Sequence, residues 1–204
     1  MANWITIGRI VLLFVGVDLM LRPEYLSVLL GALIALLVVA ADAVDGVVAR
    51  WRGETSRFGA VFDIVGDRIV EAVLFVTYAY LNAIPLGIPL IVITRGFLVD
   101  GLRGLALENG QTAFGPRTMM ASRLGRALTS SRASRATYGV AKAIAFVILP
   151  LALALERSDA PQSAAYLEPA LRSLGLLLAY LVAAFCIVRG LLVLHDARAL
   201  IRAS

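Results

Sequence analysis

Apolar residues in this chain come in runs too long for a water-soluble core. They occupy about 4–21, 25–50, 56–81, 84–108, 135–156 and 168–194. Polar breakers such as Arg22-Pro23-Glu24, Asn82-Ala83-Ile84-Pro85 and Ser158-Asp159-Ala160-Pro161 separate some of them. A helix that crosses the hydrocarbon core of a bilayer needs about 20 residues, so each run can span. Of 204 residues, 60% are hydrophobic and 16% charged, against about half and about a quarter in a soluble domain. Spans on this scale consume about 120 residues and leave about 80 for loops, which excludes a sizeable soluble domain beside them. The expectation is an all-α integral membrane protein of six transmembrane helices, one domain over 1–204. The fourth and fifth runs are the least clean, and a five-span or re-entrant arrangement is the alternative.

Arginine placement orients the spans. Arg50, Arg52 and Arg57, the 117–135 cluster, and Arg198 and Arg202 fall on one side of a six-span arrangement; Arg22, Arg157 and Arg172 fall on the other. The positive-inside rule puts both termini, the short loop after the second run and the basic loop of about 109–134 in the cytoplasm, with the protein in the cell membrane. Met1-Ala2-Asn3-Trp4 lacks the basic region and cleavage site of a signal peptide, so the first run is expected to be retained. The net charge of +5 in so apolar a chain suits anionic lipid or a phosphorylated substrate rather than nucleic acid.

Single copies remove whole chemistries. Cys186 is alone, which excludes an internal disulfide, a Cys-based zinc site and an iron–sulfur cluster, and its apolar neighbours mark it as a small buried hydrophobe. His195 is also alone, which excludes His-rich metal sites. Metal chemistry here would be carboxylate chemistry, which favours Mg²⁺, Ca²⁺ or Mn²⁺.

Carboxylates stand where a bilayer disfavours them. Asp42 and Asp45 are three residues apart and Asp63 and Asp67 four apart, so each pair shares a helix face. A short connection would make the two helices antiparallel neighbours and bring the pairs together. Each such Asp costs about 2.5–3.5 kcal/mol near mid-membrane, and four held together repel. Cations must sit among them. Arg50 and Arg68 are candidates, although Arg68 follows Asp67 directly and points off its face; one or two divalent ions suit the all-oxygen cage better. A buried ion-pair network is the alternative. Gly46, Ala49, Gly59 and Gly66 lie on or near the acid-bearing faces, either to leave room for a ligand or to pack helices.

The run Asp42-x-x-Asp45-Gly46-x-x-Ala49-Arg50, eight residues, Gly59-x-x-x-Asp63-x-x-x-Asp67 resembles the signature of the CDP-alcohol phosphotransferase family, with every signature residue at the family spacing. That resemblance implies transfer of a CDP-linked lipid or alcohol to a second alcohol with release of CMP. It implies Asp42, Asp45, Asp63 and Asp67 as ligands of a two-metal Mg²⁺ or Mn²⁺ centre, with Asp67 also the proton acceptor. Gly46, Arg50 and Ser56 match positions that contact the CDP moiety. Near the N-terminus Asn3-Trp4-Ile5-Thr6-x-x-Arg9 is similar to the family's entry segment, where Thr6 either helps hold the nucleotide or belongs to a helix cap. A homodimer in membrane lipid is implied as well.

Arg95 and Arg103, eight residues apart in the fourth run, and Lys142 in the fifth are cations inside apolar helices. Lys142 is either a snorkelling anchor or part of a site; three convergent cations suit a phosphate on the acceptor alcohol. This arrangement resembles the phosphatidylglycerophosphate synthase branch, which implies CDP-diacylglycerol and glycerol 3-phosphate as substrates. Gly96, Val140 and Ala143 depart from that branch's pattern, and the Arg103–Lys142 segment is longer by some eighteen residues. An inositol-phosphate acceptor, as in phosphatidylinositol phosphate synthases, is the alternative within the family. A carboxylate-lined cation transporter is the alternative outside it.

Overall fold

The computed structural model describes residues 2–52, 57–108, 120, 122–157 and 159–198, and of these all side chains except those of 2–4, 42–52, 57, 58, 60, 108, 123, 130, 132 and 165. Among the described residues every regular element is helical. In order they are α1 (Ala2–Met20), α2 (Tyr25–Arg52), α3 (Arg57–Tyr80), α4 (Gly87–Glu108), the short α5 (Arg123–Gly125) running into a π-helical turn (Arg126–Ser130), α6 (Arg132–Leu155), the short α7 (Gln162–Ala165) and α8 (Glu168–Asp196). The apolar runs of the sequence match α1, α2, α3, α4, α6 and α8 to within a few residues. Two edges differ. α4 starts at Gly87 rather than about 84, and α6 starts at Arg132 rather than about 135, because the end of the preceding basic loop is itself helical.

Ala133–Leu155 and Glu168–Arg198 are long and apolar enough to cross a bilayer, and Tyr25–Ala41 is a shorter apolar helical stretch. α1 leaves Val11, Phe14 and Val15 exposed, α4 leaves Leu90 and Phe97, and α8 leaves Leu177 and Leu191. Contiguous faces of this kind suit hydrocarbon, not water. The all-helical fold and its apolar faces are consistent with a membrane protein.

The contacts of the chain divide it into two compact units, Met1–Leu86 with Ala143–Leu178, and Gly87–Lys142 with Ala179–Ser204. In the first, α1 packs against both α2 and α3. Glycine sets how closely. A methyl added at Gly31 would stand 2.7 Å from the Gly16 carbonyl oxygen, and one at Gly16 would stand 2.8 Å from Ile34 Cγ2. The α1 and α2 backbones therefore meet where a side chain on either would force them apart.

A proline shapes the same unit. Pro150 lies inside α6 and has no N–H to give the carbonyl four residues back, at Phe146. Tyr78 of α3 supplies the missing donor: its fully buried hydroxyl donates to the Phe146 carbonyl oxygen at 2.8 Å. Phe75 stacks edge-on to the Phe146 ring at 4.9 Å and completes the aromatic cluster. α3 then stops at Asn82, whose φ of 59° is left-handed. The Ala83 and Asn82 N–H groups return to the carbonyls of Tyr78 and Ala79 at 2.9 and 3.1 Å, a Schellman cap that delays the start of α4. At the α1–α2 turn, Asp159 accepts from the Tyr25 N–H at 2.9 Å while Arg157 reaches the Met20 carbonyl at 3.4 Å. An anion thus meets a helix start and a cation a helix end.

In the second unit, Val99 and Ala106 of α4 bury against Met120 and against Val193 and Ala197 at the end of α8. The buried Asp196 carboxylate accepts from both the N–H and the hydroxyl of Ser122, at 3.2 and 2.8 Å. Arg126 Nε donates to the Met120 carbonyl at 3.0 Å. The Ser122–Asp196 bonds seat this part of the basic loop on α8, and the Arg126 bond ties the loop to itself.

Candidate active site

Two of the four signature acids are described, and both are on α3. Asp63 is exposed and Asp67 half-buried, one helical turn apart. Asp42, Asp45, Gly46 and Arg50 belong to α2, but their side chains lie outside the described residues, as do Ser56 and the 109–119 part of the basic loop. Among the described residues no group of three metal-ligating side chains is gathered. The oxygen-only donors Asp63 and Asp67, with no described Cys or His beside them, fit a hard divalent cation rather than a soft one.

Among the described side chains a cation from α1 meets Asp67; Arg50, the candidate on α2, lies outside them. Arg9 of α1, its side chain 2% exposed, donates from Nη2 to Asp67 Oδ1 at 2.6 Å. Arg68 turns instead to Glu71, which is buried, at 2.6 Å. Arg68 points off the Asp67 face, as its adjacent position dictates, about 100° around the helix, whereas Arg9 comes from a neighbouring helix. Gly66 makes room for that helix, since a methyl there would stand 2.6 Å from Thr6 Cγ2. Thr6 is buried against α3 one residue from Asp67. α1 begins at Ala2, so Thr6 is interior to the helix and does not cap it.

A second set of charged groups lies in the other unit. Arg95 and Lys142 both approach the Tyr138 ring, with Arg95 Cζ 5.8 Å and Lys142 Nζ 5.6 Å from its centroid. Arg189 of α8 joins them at 5.5 Å. Arg95 is 8% and Arg189 4% exposed, and the Nε of each has no hydrogen-bond partner among the described residues. Arg189 Nη2 donates to the Thr129 carbonyl in the π-helical turn at 3.1 Å, and the Arg95 stem lies against Gly190. Arg103 pairs one turn along α4, its Nη1 3.6 Å from Asp100. Arg189 went unread in the sequence although it bears the mark that singled out Arg95, an arginine inside an apolar run. Tyr138 carried no such mark. Cys186 is fully buried, its Sγ 3.5 Å from the Tyr138 hydroxyl.

The chemistry of the two sets differs. Carboxylates with an arginine can hold a cation and take a proton; clustered arginines and a lysine can bind a phosphate. The family model for CDP-alcohol phosphatidyltransferase matches residues 1–188. A protein of Rickettsia typhi named CDP-diacylglycerol--glycerol-3-phosphate 3-phosphatidyltransferase is 32% identical over 104 residues, 50% of this chain and 57% of that protein. Proteins of the same name from Bacillus subtilis and Yersinia pestis are 27% identical over 121 residues, covering 53% of this chain and 63% of that one, and 35% identical over 77 residues, covering 38% and 42%. The chain spans about half the length of the curated relatives it matches. A family match over residues 1–188 favours the transferase reading over the transporter one: the chain belongs to the CDP-alcohol phosphatidyltransferase family.

Proposed function

We propose that this protein transfers the phosphatidyl group of CDP-diacylglycerol to glycerol 3-phosphate, releasing CMP and forming phosphatidylglycerophosphate. The observation that carries the acceptor is the cation cluster at Tyr138, where Arg95 and Arg189 are buried with open hydrogen-bonding capacity beside Lys142. Buried cations without a carboxylate are costly unless an anion completes them. An acceptor that brings its own phosphate does so, and the relatives' printed name supplies the candidate. Arg103 would serve the same phosphate from further along α4.

Asp42, Asp45, Asp63 and Asp67 would hold one or two Mg²⁺ or Mn²⁺ ions. When bound, such ions neutralise charge on the pyrophosphate and stabilise the departing CMP. The chain's own groups do the rest. Asp67 takes the proton from the attacking hydroxyl of the acceptor, whose oxygen bonds to the phosphorus carrying the diacylglycerol as the bond to CMP breaks. Arg9 fixes the Oδ1 edge of Asp67 from α1, so the base is aimed before substrate arrives. Gly46 leaves space for the nucleotide, Arg50 forks onto its phosphates, and Ser56 and Thr6 donate hydroxyl hydrogen bonds to the CDP moiety.

The six long helices would all cross the cell membrane, with both termini and the polar cavity on the cytoplasmic side and a homodimer as the assembly. The purified protein with CDP-diacylglycerol should release CMP only when both Mg²⁺ or Mn²⁺ and glycerol 3-phosphate are added. Turnover with inositol phosphate and none with glycerol 3-phosphate would overturn the acceptor while leaving the reaction type standing.

A further inference from the structure

One aromatic ring gathers cations from three helices. Tyr138 sits on α6, buried to 8% exposure. Lys142 follows it by one turn on the same face, Arg95 comes from α4, and Arg189 comes from α8. All three charges lie within 5.8 Å of the ring centroid. No carboxylate contact to Arg95 or Arg189 is present among the described residues, and like charges held this close in a medium of low dielectric repel one another. Something must hold Arg95 and Arg189 together while no phosphate is bound. The negative π-face of the ring is in contact with every one of the three cations. Its orientation is fixed from α8, where Cys186 Sγ lies 3.5 Å from the hydroxyl and the Phe185 ring lies 6.4 Å from the Tyr138 ring.

We propose that Tyr138 is a positioning residue for the acceptor: its ring holds Arg95, Lys142 and Arg189 in place so that the phosphate of the acceptor alcohol meets a cluster already assembled. The inference rests on the acceptor-phosphate reading above. The ring itself touches neither the reacting phosphorus nor the proton in transit. Its contribution is preorganisation, which lowers the cost of binding and leaves the chemical step alone. The hydroxyl is the lesser part, because the charge–quadrupole attraction belongs to the ring face.

Kinetics on the full-length protein in lipid nanodiscs tests this, with glycerol 3-phosphate as the probe. Tyr138→Phe should keep KM for glycerol 3-phosphate within about twofold, since the ring remains. Tyr138→Leu should raise it about tenfold, because it removes the attraction of the ring for every cation and each such attraction is worth about two- to fivefold. Both kcat and KM for CDP-diacylglycerol should stay nearly unchanged. Because the leucine variant can also disturb packing, phenylalanines carrying one, two and three ring fluorines at position 138 give an isosteric series. They drain the π-face without altering its shape, and KM for glycerol 3-phosphate should climb with each fluorine. A flat fluorine series, or a leucine variant that matches the phenylalanine one, overturns the positioning role. Arg95→Met and Lys142→Met run alongside as the control on the site: a raised KM there with a flat fluorine series sinks this inference alone, whereas an unchanged KM in both sinks the acceptor site and this inference with it.

Discussion

The two units of this chain solve opposite electrostatic problems. Around α3 the charges at issue are carboxylates, and two of them are answered within the unit by an arginine: Asp67 by Arg9, Glu71 by Arg68. Around Tyr138 the charges are cations, and Arg95 and Arg189 are answered by a π-face and a backbone carbonyl rather than by acids. An arginine that pairs with an acid completes it. A cation left with an aromatic ring stays open to a stronger anion, because a cation–π contact is worth about 0.5–2 kcal/mol and a charge-assisted bond to phosphate about 1.5–3 kcal/mol. The first arrangement is therefore closed toward anions and the second is open to them.

Substitutions can break this contrast. The largest effect is expected at the acids: Asp42→Ala, Asp45→Ala, Asp63→Ala and Asp67→Ala should each bring CMP release down to background, and one variant with normal turnover and normal Mg²⁺ dependence would remove that acid from the centre. Asp67→Asn sharpens the assignment, for it should retain CDP-lipid binding in an equilibrium assay while turning over poorly. Next comes Arg9→Met, which removes the partner of Asp67 and should reduce kcat about ten- to hundredfold, the value of a hydrogen bond to a charged group. If kcat holds, the pair is packing and not aim. Lys142→Met and Arg103→Met should raise KM for glycerol 3-phosphate by a similar factor of about ten to a hundred, with KM for CDP-diacylglycerol unmoved. Equal effects on both substrates would erase the division of labour between the units. The smallest change is expected at Tyr78→Phe, which removes the hydroxyl that donates to the Phe146 carbonyl oxygen. It should cost about 1 kcal/mol of stability in a reversible unfolding titration, with activity retained in the folded protein.

Much of this was legible because a bilayer simplifies the code. Long apolar runs fold as helices, so α1, α2, α3, α4, α6 and α8 can be located from hydropathy. Charges inside apolar runs are costly enough that Asp63, Asp67, Arg95 and Lys142 stand out in the sequence. Pairing across helices was not legible. Nothing local says that Arg9, 58 residues from Asp67, will reach it, or that Arg68 will turn to Glu71. Each pairing depends on how α1 and α3 approach, and that distance is set at Gly66 and Thr6 by the absence of a methyl group. Tyr138 was invisible for a related reason. An aromatic in an apolar helix looks like core until the cations of two other helices are seen beside it.

The Gly16–Gly31 contact makes α1 a lever. Its fulcrum lies about 10 Å along the helix from Arg9, seven residues at about 1.5 Å each. With the two backbones in contact at one end, the angle at which α1 leaves α2 dictates where the guanidinium arrives at the other. A one-carbon change at Gly31, far from any reacting atom and wholly within the apolar interior, would be felt as a misdirected charge at Asp67. Residues that a survey of the chemistry would pass over can thus carry the same selective weight as the acids themselves.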